Sequence, residues 1–127
     1  TRGCMRNCQS GSYFTACLYI RPTLPFEATV VILAEALGIS FSPDEEGKYE
    51  EYPAYRAFAL GLEIALLAPP PPDIDTREIR DNCFQLIIDT CADVSDGGAD
   101  VDLSALIAAQ LSSATELEME RVDVVPA

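Results

Sequence analysis

The chain has 127 residues, 49% of them hydrophobic, with 21 acidic against 8 basic side chains, a formal charge of −13 and no histidine. This is enough for one domain with one core and too apolar for wholesale disorder, while no apolar run approaches the roughly 20 residues of a membrane-spanning helix. The charge repels nucleic acid and anionic membrane and attracts cationic surfaces over about 8 Å at physiological salt; the missing histidine removes the commonest general base, Ser-His and Cys-His nucleophiles, and imidazole metal sites.

Residues 1–12 are polar and aperiodic and read as a loose leader. Within it, "CMRNC" places Cys4 and Cys8 near Arg2 and Arg6, and adjacent cations lower a thiol pKa. The odd total of 5 cysteines and the lack of paired CxxC spacing speak against a disulfide framework or a zinc ribbon. Cys17 and Cys83 lie in apolar runs, where cysteine acts as a small buried hydrophobe. The fold starts near Tyr13, because "SYFTACLYIRP" is rich in aromatic and β-branched residues and predicts a strand over 13–21 that Pro22 stops. Thr23 is then placed to cap a helix with Pro25 in its first turn, an apolar stripe of Phe26, Val30, Leu33 and Leu37, and Gly38 as a left-handed terminator.

"ISFSPDEEGKYEE" is a polar connection carrying the acidic cluster. Over 53–61, "PAYRAFALG" predicts a short helix with Pro53 first, Tyr55, Phe58 and Leu62 on one face and Gly61 closing it; alternation from Tyr52 to Leu62 permits a strand, but alanine and proline favour the helix. "LEIALLAP" predicts a central strand ended by four prolines, in which Glu63 needs a strand end or a sheet edge to stay wet. "DIDTREIRDN" reads as loop with a turn of helix. "CFQLIIDTC" is another strand, with Phe84, Leu86 and Ile88 on one face and Ile87 on the other, suited to a sheet covered on both sides. After the turn-rich "ADVSDGGADVD", Asp102 can cap a helix with Leu103, Leu106, Ile107 and Leu111 in its stripe, and the tail 116–127 adds a late strand or frays. The expected fold is a single α/β (α+β) domain over 13–115, a mixed β-sheet of about three to five strands packed with two or three helices.

No catalytic residue, metal or cofactor is expected. The carboxylate pairs Glu50/Glu51 and Asp100/Asp102 show nothing that would split their pKa values for acid-base work. "DVSDGGADVD" superficially matches a calcium loop at Asp93 and Ser95 but has Gly97 and Ser104 where two oxygen ligands belong. Charge layout is more informative: between Asp81 and Glu120 there are nine acids and no base, and Asp44 to Glu51 adds five acids around Lys48. Tyr49, Tyr52 and Tyr55 stand beside that second cluster. Acids steer a cationic partner and tyrosines anchor it, so the expected contact set is Asp44, Glu45, Glu46, Tyr49, Glu50, Glu51 and Tyr52. The competing reading makes Tyr52 and Tyr55 half-buried core residues and the acids a solvated loop.

At "YEEYPAYRAFALGLEIALLAPP", residues 49–70, together with the later "FQLIIDT", the chain resembles the small acidic immunity proteins of bacterial polymorphic toxin and contact-dependent inhibition systems. The resemblance implies a cytoplasmic, non-enzymatic protein that binds one cognate basic toxin domain, often a nuclease, and blocks its active site or substrate channel, with neither nucleic acid nor membrane as partner. It supplies no motif residues; the contact acids come from charge layout alone. Whether such a protein is a monomer or a homodimer stays open. An adaptor acting through homo-oligomerisation or docking is the alternative, and an enzyme would need buried carboxylates of raised pKa around a concave pocket.

Overall fold

Seven strands form one mixed sheet in the computed structural model, which describes residues 13–49, 52–75, 82–91 and 100–121. In chain order these are β1 (Tyr13–Ile20), β2 (Ser42–Pro43), β3 (Ala54–Ala59), β4 (Leu62–Leu67), β5 (Phe84–Thr90), β6 (Asp100–Asp102) and β7 (Met119–Arg121), with helices α1 (Phe26–Leu37) and α2 (Ser104–Ala114). Across the sheet the order is β2-β3-β4-β5-β1-β6, with β7 also alongside β1. The α+β expectation holds, but seven strands exceed the three to five expected. The strands not expected are β2 and β6, two and three residues long and too short to carry a hydrophobic period, and β3, expected as a helix; β7 falls within the tail 116–127, where a late strand is one of the two expectations.

The alternation in β1 and β5 works as read. Ala16, Leu18 and Ile20 share a face with Phe84, Leu86 and Ile88, and the antiparallel register Leu18↔Leu86 carries that face on to Leu66 of β4. Val30 and Leu33 of α1 and Leu111 of α2 pack on this face, and Leu18, Leu33, Leu86 and Leu111 are wholly buried. The opposite face is covered too at the central strand, where Ala65 and Leu67 are buried. No helix among the described residues is long and apolar enough to cross a membrane.

Four local expectations need correction. Thr23 does not cap α1: it lies in a turn closed by its own N–H on the Arg21 carbonyl, and the boundary falls at Pro25, extended at ψ 155°, with no side-chain cap. Thr29 occupies that end instead, donating its N–H and its hydroxyl to the Pro25 carbonyl at 3.0 and 3.1 Å. Gly38 does terminate the helix in the left-handed region, at φ 68°.

The segment expected as a helix over 53–61 is strand β3, hairpin-paired with β4 from Ala54↔Leu67 to Ala59↔Leu62. Its alanines favour a helix only locally. A helix confined between Pro53 and Gly61 barely exceeds its nucleation cost, whereas the strand gains a full ladder. Glu63 lies at neither a sheet edge nor a wet strand end: it is 5% exposed, on an interior strand between β3 and β5. Asp102 does accept the Ser104 N–H at 2.8 Å, but the residue at the helix boundary is Leu103.

The far edge of β1 is closed by an unusual relay. β6 pairs with its first residues in parallel, β7 pairs with its last residues antiparallel, and between them, among the described residues, Cys17 has no strand partner on that side. The Ser104 hydroxyl fills the gap, accepting the Cys17 N–H at 3.0 Å and donating to the Cys17 carbonyl at 3.4 Å, so the start of α2 is stitched into the sheet edge.

Candidate functional site

The acidic loop does not stand out as a free arm; it folds back onto the sheet face opposite the helices, over Glu63. The loop is set by short-range chemistry: Gly47 takes φ 69°, Asp44 accepts the Tyr49 N–H at 3.1 Å, and the Tyr52 N–H reaches the Tyr49 carbonyl at 3.0 Å. This brings Lys48 and Tyr49 down onto the Glu63 carboxylate. The Tyr49 hydroxyl donates to Oε2 at 3.0 Å, Lys48 Nζ donates to Oε1, and Arg56 Nε, one diagonal position away on β3, donates to Oε2 at 2.9 Å. Arg56 also reaches Glu46 at 2.9 Å and Asp44 at 3.5 Å.

Three acids and two bases thus neutralise most of their charge inside one chain. Burial by itself would raise the Glu63 pKa; the hydrogen bonds from Lys48, Arg56 and Tyr49 outweigh it and hold the carboxyl below its usual value. Tyr49 shifts upward, through burial first and then its bond to Glu63. Arg56 shifts upward through its bonds to Glu46 and Glu63. The shifts of Glu63, Tyr49 and Arg56 each favour the state that makes the bonds, which marks the cluster as a lock on the loop.

The sequence-derived contact residues therefore separate. Asp44, whose side chain is 4% exposed, and half-buried Tyr49 are built into the lock. Tyr52 is half-buried and Tyr55 belongs to the core, meeting Phe26 edge-on at 5.7 Å. Glu45 is exposed, and Glu46 keeps 78% of its side chain in solvent while paired with Arg56. Glu50 and Glu51 lie outside the described residues, as do Cys4, Cys8 and Asp93 to Gly97 of the calcium-like loop. Among the described residues no group of three histidine, cysteine or acidic side chains could hold a metal ion.

What charge layout missed is apolar. Beside Glu45 and Glu46 a hollow of about 370 Å³ runs along β2 and β3, with Pro43, Arg56 and Phe58 in its wall. Phe58 is 61% exposed beneath the Arg56 guanidinium, 5.0 Å from its ring centre. Two residues on, Leu60 is 97% exposed at the hairpin tip and holds φ 55°, followed by Gly61 at φ 76°. Positive φ at both central residues is the type I′ turn, which asparagine or aspartate before glycine fills well and leucine fills at a cost of roughly 1–2 kcal/mol. The alternation from Tyr52 to Leu62 left a strand open here, but the helix expectation hid the turn at Leu60 and Gly61. Neither family models, curated proteins nor solved structures match this chain.

Proposed function

We propose that the protein is a stoichiometric binder of a basic protein partner, of the immunity type: it engages a cognate toxin domain in the cytoplasm and occludes its active site or substrate channel. The observation that carries this reading is Leu60, an almost fully exposed leucine held in a backbone conformation that disfavours it, two residues along the chain from exposed Phe58, which itself shares a hollow with Glu45 and Glu46. Strain retained at an exposed apolar side chain stabilises nothing in the free protein and is explained by a contact made elsewhere. In this mechanism the charge of −13 steers a cationic surface into encounter, Glu45 and Glu46 meet its lysines and arginines, and Phe58 and Leu60 supply the desolvated centre. The lock around Glu63 keeps the loop in place, so little ordering entropy is lost on binding.

The test is a low-salt pull-down from the native cell, followed by titration of the retained protein's toxic activity. One-to-one inhibition is expected. Glu45→Gln with Glu46→Gln should slow association chiefly at low salt, and Leu60→Asn or Phe58→Ser should speed dissociation. If those variants inhibit as wild type does, the contact lies elsewhere; if no basic partner is retained, the immunity reading fails. The same exposed Phe58 and Leu60 also suit a second copy of the chain, as an adaptor would use them. A concentration-dependent dimer abolished by Leu60→Asn, with no basic partner, selects that reading.

A further inference from the structure

The two helices leave an open cleft at the end of the sheet where β1 stops and β7 begins. The chain leaves β1 through Thr23 and Leu24 and enters β7 through Thr115 to Leu117, and between these segments and α1 lies a recess of about 550 Å³. Leu24, Ile32, Ala36 and Leu117 provide its apolar lining, and the carboxylates of Glu35 and Glu116 stand in its wall. Both glutamates are exposed, Leu24 is 40% exposed, and among the described residues neither carboxylate takes part in an ion pair and no basic side chain lines the recess.

The walls are held from behind. Gln110 of α2 donates to the Ala36 carbonyl at the end of α1, at 3.3 Å. Thr115 leaves the helix in extended conformation while its hydroxyl donates back to the Leu111 carbonyl at 2.7 Å and accepts the Leu117 N–H at 3.2 Å. The recess is therefore preformed.

From this geometry we infer that the cleft is a second docking surface, for a segment of another protein that presents a bulky apolar side chain flanked by lysine or arginine. Charge complementarity selects the occupant. An anionic ligand such as a nucleotide or an acidic headgroup meets two carboxylates and a chain of net charge −13, and a second copy of the chain brings the same repulsion. A neutral apolar ligand would leave Glu35 and Glu116 without a partner at its side. A cationic amphipathic segment uses both features: its apolar side chain replaces water against Leu24, Ile32 and Ala36, and its cations pair with acids that stay partly in solvent, where pairing costs little desolvation. The cleft lies on the helix side of the sheet and the hollow beside Phe58 on the β2–β3 edge, so this surface is independent of the proposed inhibitor contact.

The test uses the full chain and three labelled synthetic peptides: an alternating lysine–leucine peptide, a lysine–serine peptide of equal charge and a glutamate–leucine peptide. The lysine–leucine peptide is expected to bind, with amide chemical-shift changes centred on Leu24, Glu35, Ala36 and Glu116. Glu35→Gln combined with Glu116→Gln should weaken it roughly ten-fold. Leu24→Ser should weaken it as well, and Glu27→Gln, an exposed acid of the same helix outside the cleft, should leave it unchanged. Circular dichroism of each variant checks that the fold is intact. Equal binding of the lysine–serine peptide, equal weakening by Glu27→Gln, shifts centred on Glu45 and Glu46, or a dimer broken by Leu24→Ser would each overturn the inference. Failure of the toxin-inhibition experiment leaves these readouts untouched.

Discussion

Glu63 occupies a position where an interior strand ordinarily carries an apolar side chain, directly opposite Asp89 in the β4–β5 register. Like charges across a ladder are unfavourable, so the carboxylate is tolerated only because Lys48, Arg56 and Tyr49 converge on it. Glu63→Gln should cost about 2 kcal/mol at neutral pH, less than the ~3–5 kcal/mol of a fully buried pair, because Lys48 remains 45% exposed and its charge can return to water. The pH dependence follows from the direction of the shift. A carboxyl whose folded pKa is depressed stabilises the fold above its unfolded value of 4.5 and loses that contribution as pH falls through the folded value, so the gap between wild type and Glu63→Gln should close below pH 4.5 in acid-unfolding curves. Tyr49 acts with the opposite sign. Its raised pKa favours the fold up to pH 10.0, where the unfolded phenol ionises, and the contribution is lost above it, a limb that Tyr49→Phe should flatten. A gap that stays constant through the acid range would mean that Glu63 is not charged in the fold. None of this network was legible beforehand: an isolated Glu63 in an apolar run points to a wet position, and only pairing with β3 and the folded-back loop bring its three donors near.

At the level of elements, the β3–β4 hairpin separates stability from use. Leu60 buries almost nothing in the free chain, so replacing it removes strain without leaving a cavity. Leu60→Asn should raise stability by about 0.5–1 kcal/mol, measured by urea unfolding, since asparagine tolerates the left-handed region that the turn demands. The same substitution weakens partner binding if the proposed contact is right; a destabilised variant would instead assign Leu60 a structural role. The hairpin is also where sequence reasoning went astray, because alanine's helix preference is worth a few tenths of a kcal/mol per residue and Pro53 is merely tolerated at a first helical position, and a six-residue ladder outweighs both. Helix α1 and strand β5 were legible for the converse reason. Their apolar spacing agrees with their local propensity, and Gly38 at φ 68° ends the helix where its position demanded.

For the molecule as a whole, a charge of −13 means self-repulsion, opposed by ion pairs that are few among the described residues and centred on Arg56 and Lys48. Raising ionic strength from about 10 mM to 150 mM shortens the screening length from ~30 to ~8 Å, which weakens long-range repulsion more than contacts at hydrogen-bond distance. The melting temperature should therefore rise by a few degrees over that range in calorimetry; a fall would show that the internal pairs dominate. Chain composition and periodicity alone determined the acidity, the α+β class, the long strands β1, β4 and β5 and the helices, because each depends on neighbours within one turn or one strand. Tertiary structure alone decided which acids remain available. Asp44 and Glu63 are drawn inward by Arg56 and Lys48, Glu45 stays exposed in a hollow that Phe58 also lines, and Leu60 stands out at the hairpin tip, since charge partners and turn geometry are set by contacts between strands that no local pattern encodes.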